Sequence, residues 1–251
     1  MVHFPQICAS AILSALFTFG ILFLWGSVFR DRKYVLASLI GTGLFCADIV
    51  IVYFPAFLGA SGLTWAWLSK SSEIIVFGAI YWFVCNHTEK EISAKNRLRL
   101  VFIFGVLFGI AVSIPGLFNL TDNVPKLPSF SFIAYQATMP GIAEEIFYRG
   151  LLLLIFDRYL GRPIKFLGVY WGWGAILSTV VFYFGHALTF DAQWNLLLEL
   201  STVFDFGIFG IAMCWLAYRF ENILPCAIAH NVHNCLSTYL AIGVHHLLDV
   251  L

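Results

Sequence analysis

Charge is what this chain has least of. Only 11% of its 251 residues are Asp, Glu, Lys or Arg, and the 14 basic side chains cancel the 14 acidic ones. Soluble domains carry about 25% charged and about 45–50% apolar residues. Here the apolar share is 61% and aromatics reach 18%, with 26 Phe alone. A water-soluble fold could not hide that much apolar surface, so the solvent this composition calls for is lipid. A net charge of zero provides no basic field, which sets nucleic-acid binding aside.

Cysteine patterns are missing as well. Cys8, Cys46, Cys85, Cys214, Cys226 and Cys235 show no CxxC pair and no metal-like spacing, and all lie in or beside apolar runs. They read as small buried hydrophobes and fix no redox compartment. No Lys or Arg precedes the first apolar run, which is long, so it reads as a retained membrane span rather than a cleaved signal peptide. Repeats, low-complexity tracts and long polar linkers are absent too. One membrane domain over residues 1–251 is the expectation.

At about 20 apolar residues per crossing, the spacing predicts an all-α polytopic membrane protein of about eight transmembrane helices. The expected spans are 7–29, 34–59, 63–85, 100–120, 131–156, 166–189, 196–218 and 223–245. A seven-helix count stays open, because Lys70 and Glu73 interrupt the third span. Basic residues gather in the connections after spans one, three, five and seven: Arg30 to Lys33, Lys90 to Arg99, Asp157 to Lys165, and Arg219 with Glu221. The positive-inside tendency then puts the N-terminus outside. The lack of organelle-targeting signals points to a prokaryotic cytoplasmic (inner) membrane.

Against this apolar background, Glu144-Glu145-Ile146-Phe147-Tyr148-Arg149 sits where charge is costly, on the order of 2–3 kcal/mol per residue even on lenient insertion scales. Such groups persist when they face one another or a wet cavity. Two further polar clusters occur, Phe182 to His186 and His230 to Asn234, the latter preceded by Asn222-Ile223-Leu224-Pro225. Residues four apart share a helix face, which pairs Phe182 with His186, His230 with Asn234, and Glu145 with Arg149. Glu144 points about 100° away from Glu145, so one carboxylate can be structural and the other reactive. Pro140-Gly141 is expected to loosen or kink the fifth helix just before Glu144.

Peptide-bond hydrolysis needs an activated water, a base and donors for the developing oxyanion. Glu144 beside His186 can hold and deprotonate a water, His230 and Asn234 can donate to the oxyanion, and Arg149 can neutralise Glu145. The other polar residues have simpler readings. Lys70 and Glu73, three apart, are expected to pair at a helix end where Lys snorkels. Glu199 reads as interfacial, His233 as a packing residue or one that backs the site from behind, His245 and His246 as interfacial and His87 as solvated. Asp48 and Asp205 have no assigned partner.

The ordered set EExxxR (Glu144, Glu145, Arg149), FxxxH (Phe182, His186) and HxxxN (His230, Asn234) on separate apolar segments resembles the CPBP family. That family comprises type 2 CAAX prenyl proteases and bacteriocin-processing or self-immunity (Abi) relatives. The resemblance spans about residues 130–240 and implies an intramembrane endopeptidase of about eight helices, its substrate a membrane-anchored or lipidated protein or peptide. It implies that Glu144 and His186 activate water, that His230 and Asn234 form the oxyanion site, and that Glu145, Arg149 and Phe182 support them. The cleaved bond would lie near a CAAX-type tail, a leader or a C-terminal sorting signal. Without an HExxH helix, a glutamate-type mechanism with no cofactor is favoured over zinc; zinc, if bound, would take Glu144, His186 and His230. The alternatives are a non-catalytic Abi-type membrane immunity or binding protein and a proton-coupled transporter, though the paired broken helices of transporters are not evident.

Overall fold

The computed structural model describes residues 4–29, 32–86, 95–114, 128–191, 193–198 and 203–248. Expectations for His87, for Glu199, for most of the charged connections near 30 and 90, and for the side chains of Cys8, Asp205, His245 and His246 lie outside the described residues. The described residues are mostly helical, with two short ribbons and a few turns, and the chain divides into two compact units: Met1–Ala60 with Phe147–Arg219, and Ser61–Ile146 with Phe220–Leu251.

The first unit begins with two long helices, α1 (Phe4–Phe29) and α2 (Arg32–Phe57). These match the first two expected spans. Their outer faces are apolar and open, as at Leu16, Leu24, Val28, Val50 and Phe57, while small and polar residues turn inward. Ser38, for example, donates its Oγ–H to Leu22 O across the helix pair. Only 22% of the apolar window of α2 is buried, the opposite of a soluble core helix. Lipid is the solvent such a face requires.

Elsewhere the expected spans are cut short by local backbone chemistry. The stretch 131–156 is not one helix. It divides, across the two units, into α5 (Phe130–Gln136), α6 (Met139–Glu145), a π-helix (Ile146–Leu152) and α7 (Leu153–Leu160). The stretch 166–189 opens as a ribbon of β1 (Ile164–Phe166) and β2 (Val169–Trp171), paired antiparallel, and only α8 (Trp173–Ala187) is helical. Leu167 and Gly168 turn the ribbon with φ of 49° and 76°, the two positive values a tight hairpin needs. Trp171 and Trp215 donate their indole N–H groups to Phe166 O and Leu167 O. The stretch 196–218 likewise starts in a ribbon, β3 (Leu188–Phe190) with β4 (Leu196–Leu198), before a π-helical turn (Val203–Ile208) and α9 (Phe209–Phe220).

The second unit packs α3 (Gly62–Asn86), α4 (Lys95–Ser113), α5, α6 and α10 (Leu224–Leu248). Helix α3 is, with α2, long and apolar enough to cross a membrane. Helices α4 and α10 approach closely because Gly105 and Gly109 lie on the seam. A Cβ at Gly105 would stand 2.9 Å from Ile228 Cβ, and one at Gly109 would stand 2.6 Å from Ala229 O. This is the small-xxx-small pattern by which helices associate in lipid, continued one turn on by Ser113. The Ser113 hydroxyl donates to Gly109 O at 2.7 Å and so accepts from His233 Nδ1 at 3.2 Å. His233 is thereby held to α4 through Ser113.

Candidate active site

In the second unit the adjacent glutamates are placed by an interrupted helix. Proline inside a helix removes a hydrogen bond and clashes with the preceding turn. Pro140 accordingly sits in the first turn of a new helix, where its missing N–H is no loss, and the chain breaks at Ala137-Thr138. The interruption is stronger than the expected kink, and it leaves backbone groups without helical partners. Asn231 on α10 satisfies one of them, Gly141 N–H, and adds a bond to the carbonyl of the N-cap residue, Thr138. Its Oδ1 accepts from Gly141 N–H at 2.8 Å, and its Nδ2 donates to Thr138 O at 3.1 Å. Only glycine permits this approach, since a Cβ at 141 would lie 2.5 Å from Asn231 Oδ1.

At the other end of α6, Glu144 and Glu145 both face His230. Glu145 is fully buried, and its Oε1 lies 2.8 Å from His230 Nδ1. Glu144 Oε2 lies 3.8 Å from Nε2 on the opposite side of the ring. Two carboxylates about 100° apart on one helix thus bracket the two nitrogens of one imidazole. Glu144 keeps 13% of its side chain open to solvent, so of the two it is the one a water can reach. Its Oε1 lies 3.2 Å from Lys70 Nζ. Lys70 also pairs with Glu73 at 3.0 Å, the expected partner; the second partner, Glu144, is new, and the Lys70–Glu73 pair lies within α3 rather than at its end. Asn234 follows His230 by one turn on α10, its backbone carbonyl taking the Thr238 hydroxyl.

The first unit holds the remaining motif residues. Arg149 lies on the π-helix, donates to Gly210 O at 3.2 Å and sets its guanidinium 4.6 Å from the Phe182 ring centre. Phe182 in turn meets the His186 ring at 4.5 Å, and Phe206 stacks on that ring at 4.8 Å. His186 Nδ1 lies 2.8 Å from Phe182 O. A carbonyl can only accept, so Nδ1 carries the proton, and Nε2 of the neutral ring keeps its lone pair. Phe182 thus contacts both residues: its backbone carbonyl accepts from His186 Nδ1, and its ring lies under the Arg149 guanidinium. The Ser178 hydroxyl donates to Tyr148 O at 2.9 Å, tying α8 to the π-helix.

Lys70, Asn231 and Ser113 are the polar residues to which no such role attaches from sequence. Among the described residues, no three or more His, Cys, Asp or Glu side chains group closely enough to hold a metal ion. No curated protein and no solved structure matches the chain. Residues 126–236, which include every residue of the three motifs, match the family described as Rce1-like, type II CAAX prenyl endopeptidases, in agreement with the family the motifs resemble.

Proposed function

We propose that this protein is a multi-pass intramembrane endopeptidase that cleaves a membrane-anchored or lipidated protein near a CAAX-type tail, leader or sorting signal. The observation that carries this reading is His230 held between Glu145 and Glu144 inside the segment matched by a protease family. Glu144 is the base. It takes a proton from water, and the hydroxide attacks the scissile carbonyl carbon. The same proton then passes to the amine nitrogen as the C–N bond breaks. His186, with its Nε2 lone pair, shares the activation of water, the part the family resemblance gives it.

His230 and Asn234 donate to the oxygen on which charge develops, where one donor is commonly worth about 10²–10³ in rate. Nδ1 is engaged by Glu145, which leaves Nε2 as the ring nitrogen turned toward the oxygen. Glu145 fixes the ring, while Arg149 and Phe182 support His186. The mechanism is of the glutamate type and uses no metal. The apolar spans support a membrane location and the basic connections an N-terminus outside; a prokaryotic cytoplasmic membrane is the setting we propose.

The test is Glu144→Gln, assayed in proteoliposomes with a farnesylated CAAX peptide, a leader peptide and a hydrophobic-tailed sorting peptide. Cleavage of one of these by the wild type and its loss in E144Q is the expected result. Full turnover by E144Q overturns the reading.

A further inference from the structure

Lys70 lies on α3, outside the matched segment, in the half of the chain to which no motif assigns a task. An ammonium well inside an apolar helix ordinarily reaches for the interface. This one stays inside. Nζ lies 3.0 Å from Glu73 Oε1 and 3.1 Å from Oε2, and 3.2 Å from Glu144 Oε1. Side-chain exposure is 16% for Lys70 and 2% for Glu73, so the anchor is desolvated. The ammonium donates a hydrogen bond to Glu73 Oε2 and lies within ion-pair distance of both Glu73 Oε1 and Glu144 Oε1.

We propose that Lys70 is a positioning residue for the hydrolysis, holding Glu144 by one oxygen so that the other faces His230 and the reacting water. This inference rests on the assignment of Glu144 as the base. Glu73 is buried three residues along the same helix and fixes the ammonium, and the ammonium fixes Glu144 Oε1. Oε2 is thereby left 3.8 Å from His230 Nε2, in a position to take a proton from water. A glutamate has three rotatable bonds, and an unheld carboxylate would sample positions that misdirect the water. Pre-organising it is what a catalytic base requires. The half of the chain without motifs thus supplies a group to the chemistry of the half that has them. The pairing also sets one cation against two carboxylates, so removing the cation leaves like charges facing each other.

The experiment compares kcat and KM for wild type, K70M, K70R, E73Q and E144Q in proteoliposomes, using whichever of the three peptides the wild type cleaves. K70M is expected to lower kcat roughly 10- to 100-fold, the scale of a small misplacement of a reacting group, with KM within about threefold. K70R, which keeps the cation, is expected to recover most of that loss, and E73Q to fall between. A wild-type kcat for K70M alongside an inactive E144Q overturns the role of Lys70 and leaves the protease reading standing. A raised KM with unchanged kcat, or equal losses in K70M and K70R, overturns it as well. A fully active E144Q overturns the protease reading itself. Should K70M not be recovered from membranes, E73Q decides, and a wild-type kcat there overturns the proposal.

Discussion

His230 presents Nδ1 to Glu145 Oε1 at 2.8 Å, on a carboxylate with no exposure to solvent. A buried hydrogen bond to a charged group is worth about 1.5–3 kcal/mol, and losing one partner leaves the other unsatisfied. Glu145→Leu is therefore expected to destabilise the protein by about that amount. It should also reduce kcat, because the ring is no longer held with Nε2 toward Glu144. Glu145→Gln, which keeps an accepting oxygen, should be the milder change on both counts. Thermal denaturation in detergent and kcat on the same samples check this. Equal kcat for E145L and wild type would remove the orienting role.

Asn231 is the tie between the interrupted helix and α10, since it closes both Gly141 N–H and Thr138 O. Asn231→Leu has similar bulk but no amide. It orphans Gly141 N–H, at about 1–3 kcal/mol for a buried group, and loses the exposed bond to Thr138 O. Apparent Tm is expected to fall, and kcat with it, because α6 carries Glu144 and Glu145. An N231L protein with wild-type Tm would show that the helix break is held by other contacts.

Asn231 also marks where sequence legibility ends. Glu144, Glu145, Arg149, His186 and His230 are conspicuous because lipid penalises charge and only function or pairing retains it. Spans one to three and eight are legible for a related reason, since apolar runs in lipid must be long. The interrupted stretch 131–156 is only half legible. Pro140 announces a disturbance, but whether a helix kinks or stops depends on whether something distant closes the freed backbone, and that partner is 90 residues away. Hydropathy misleads over 164–171 because Ile164, Phe166, Leu167 and Tyr170 are apolar, whatever the backbone does. The turn lies in positive φ at Leu167-Gly168, without the Asn-Gly or Asp-Gly that announces such hairpins. Lys70 is hidden because its i,i+3 neighbour Glu73 already supplies a sufficient partner, and Glu144 arrives from another helix.

The glycine seam between α4 and α10 makes a sharper packing prediction. Gly109→Ala forces a methyl to within 2.6 Å of Ala229 O and 2.8 Å of Val232 Cβ, both rigid parts of α10. Overpacking of this kind costs about 1–3 kcal/mol. Because α10 carries His230, the strain should lower kcat as well as Tm. Gly43→Ala on α2 is the control: nothing lies within 4 Å of the added Cβ, and replacing a helical glycine there is expected to gain about 0.5–1 kcal/mol. Equal effects of the two substitutions would show that close approach at the seam is not what Gly109 provides.

Asp157 gives the pH-dependent prediction. It lies in the charged connection beyond the apolar stretch, near the end of α7. There its carboxyl takes the Tyr218 hydroxyl at 3.1 Å and lies 3.9 Å from Arg162 Nε. Burial pushes its pKa up from 3.8 to about 7, against the opposing pull of the Tyr218 hydrogen bond and the Arg162 charge. The folded protein therefore holds this proton more tightly than the unfolded chain does. The resulting stability is fully present below about pH 4 and is lost as pH rises through about 7. A tenfold change in proton affinity corresponds to about 1.4 kcal/mol, and solvent screening of a partly open group reduces the total to on the order of 1–3 kcal/mol. Asp157→Asn keeps an acceptor for Tyr218 and has no proton to lose. The difference in apparent Tm between D157N and wild type should accordingly be small at about pH 4 and grow in favour of D157N up to about pH 8. Parallel Tm profiles for the two proteins across that range would show that Asp157 ionises in the folded state as it does in water.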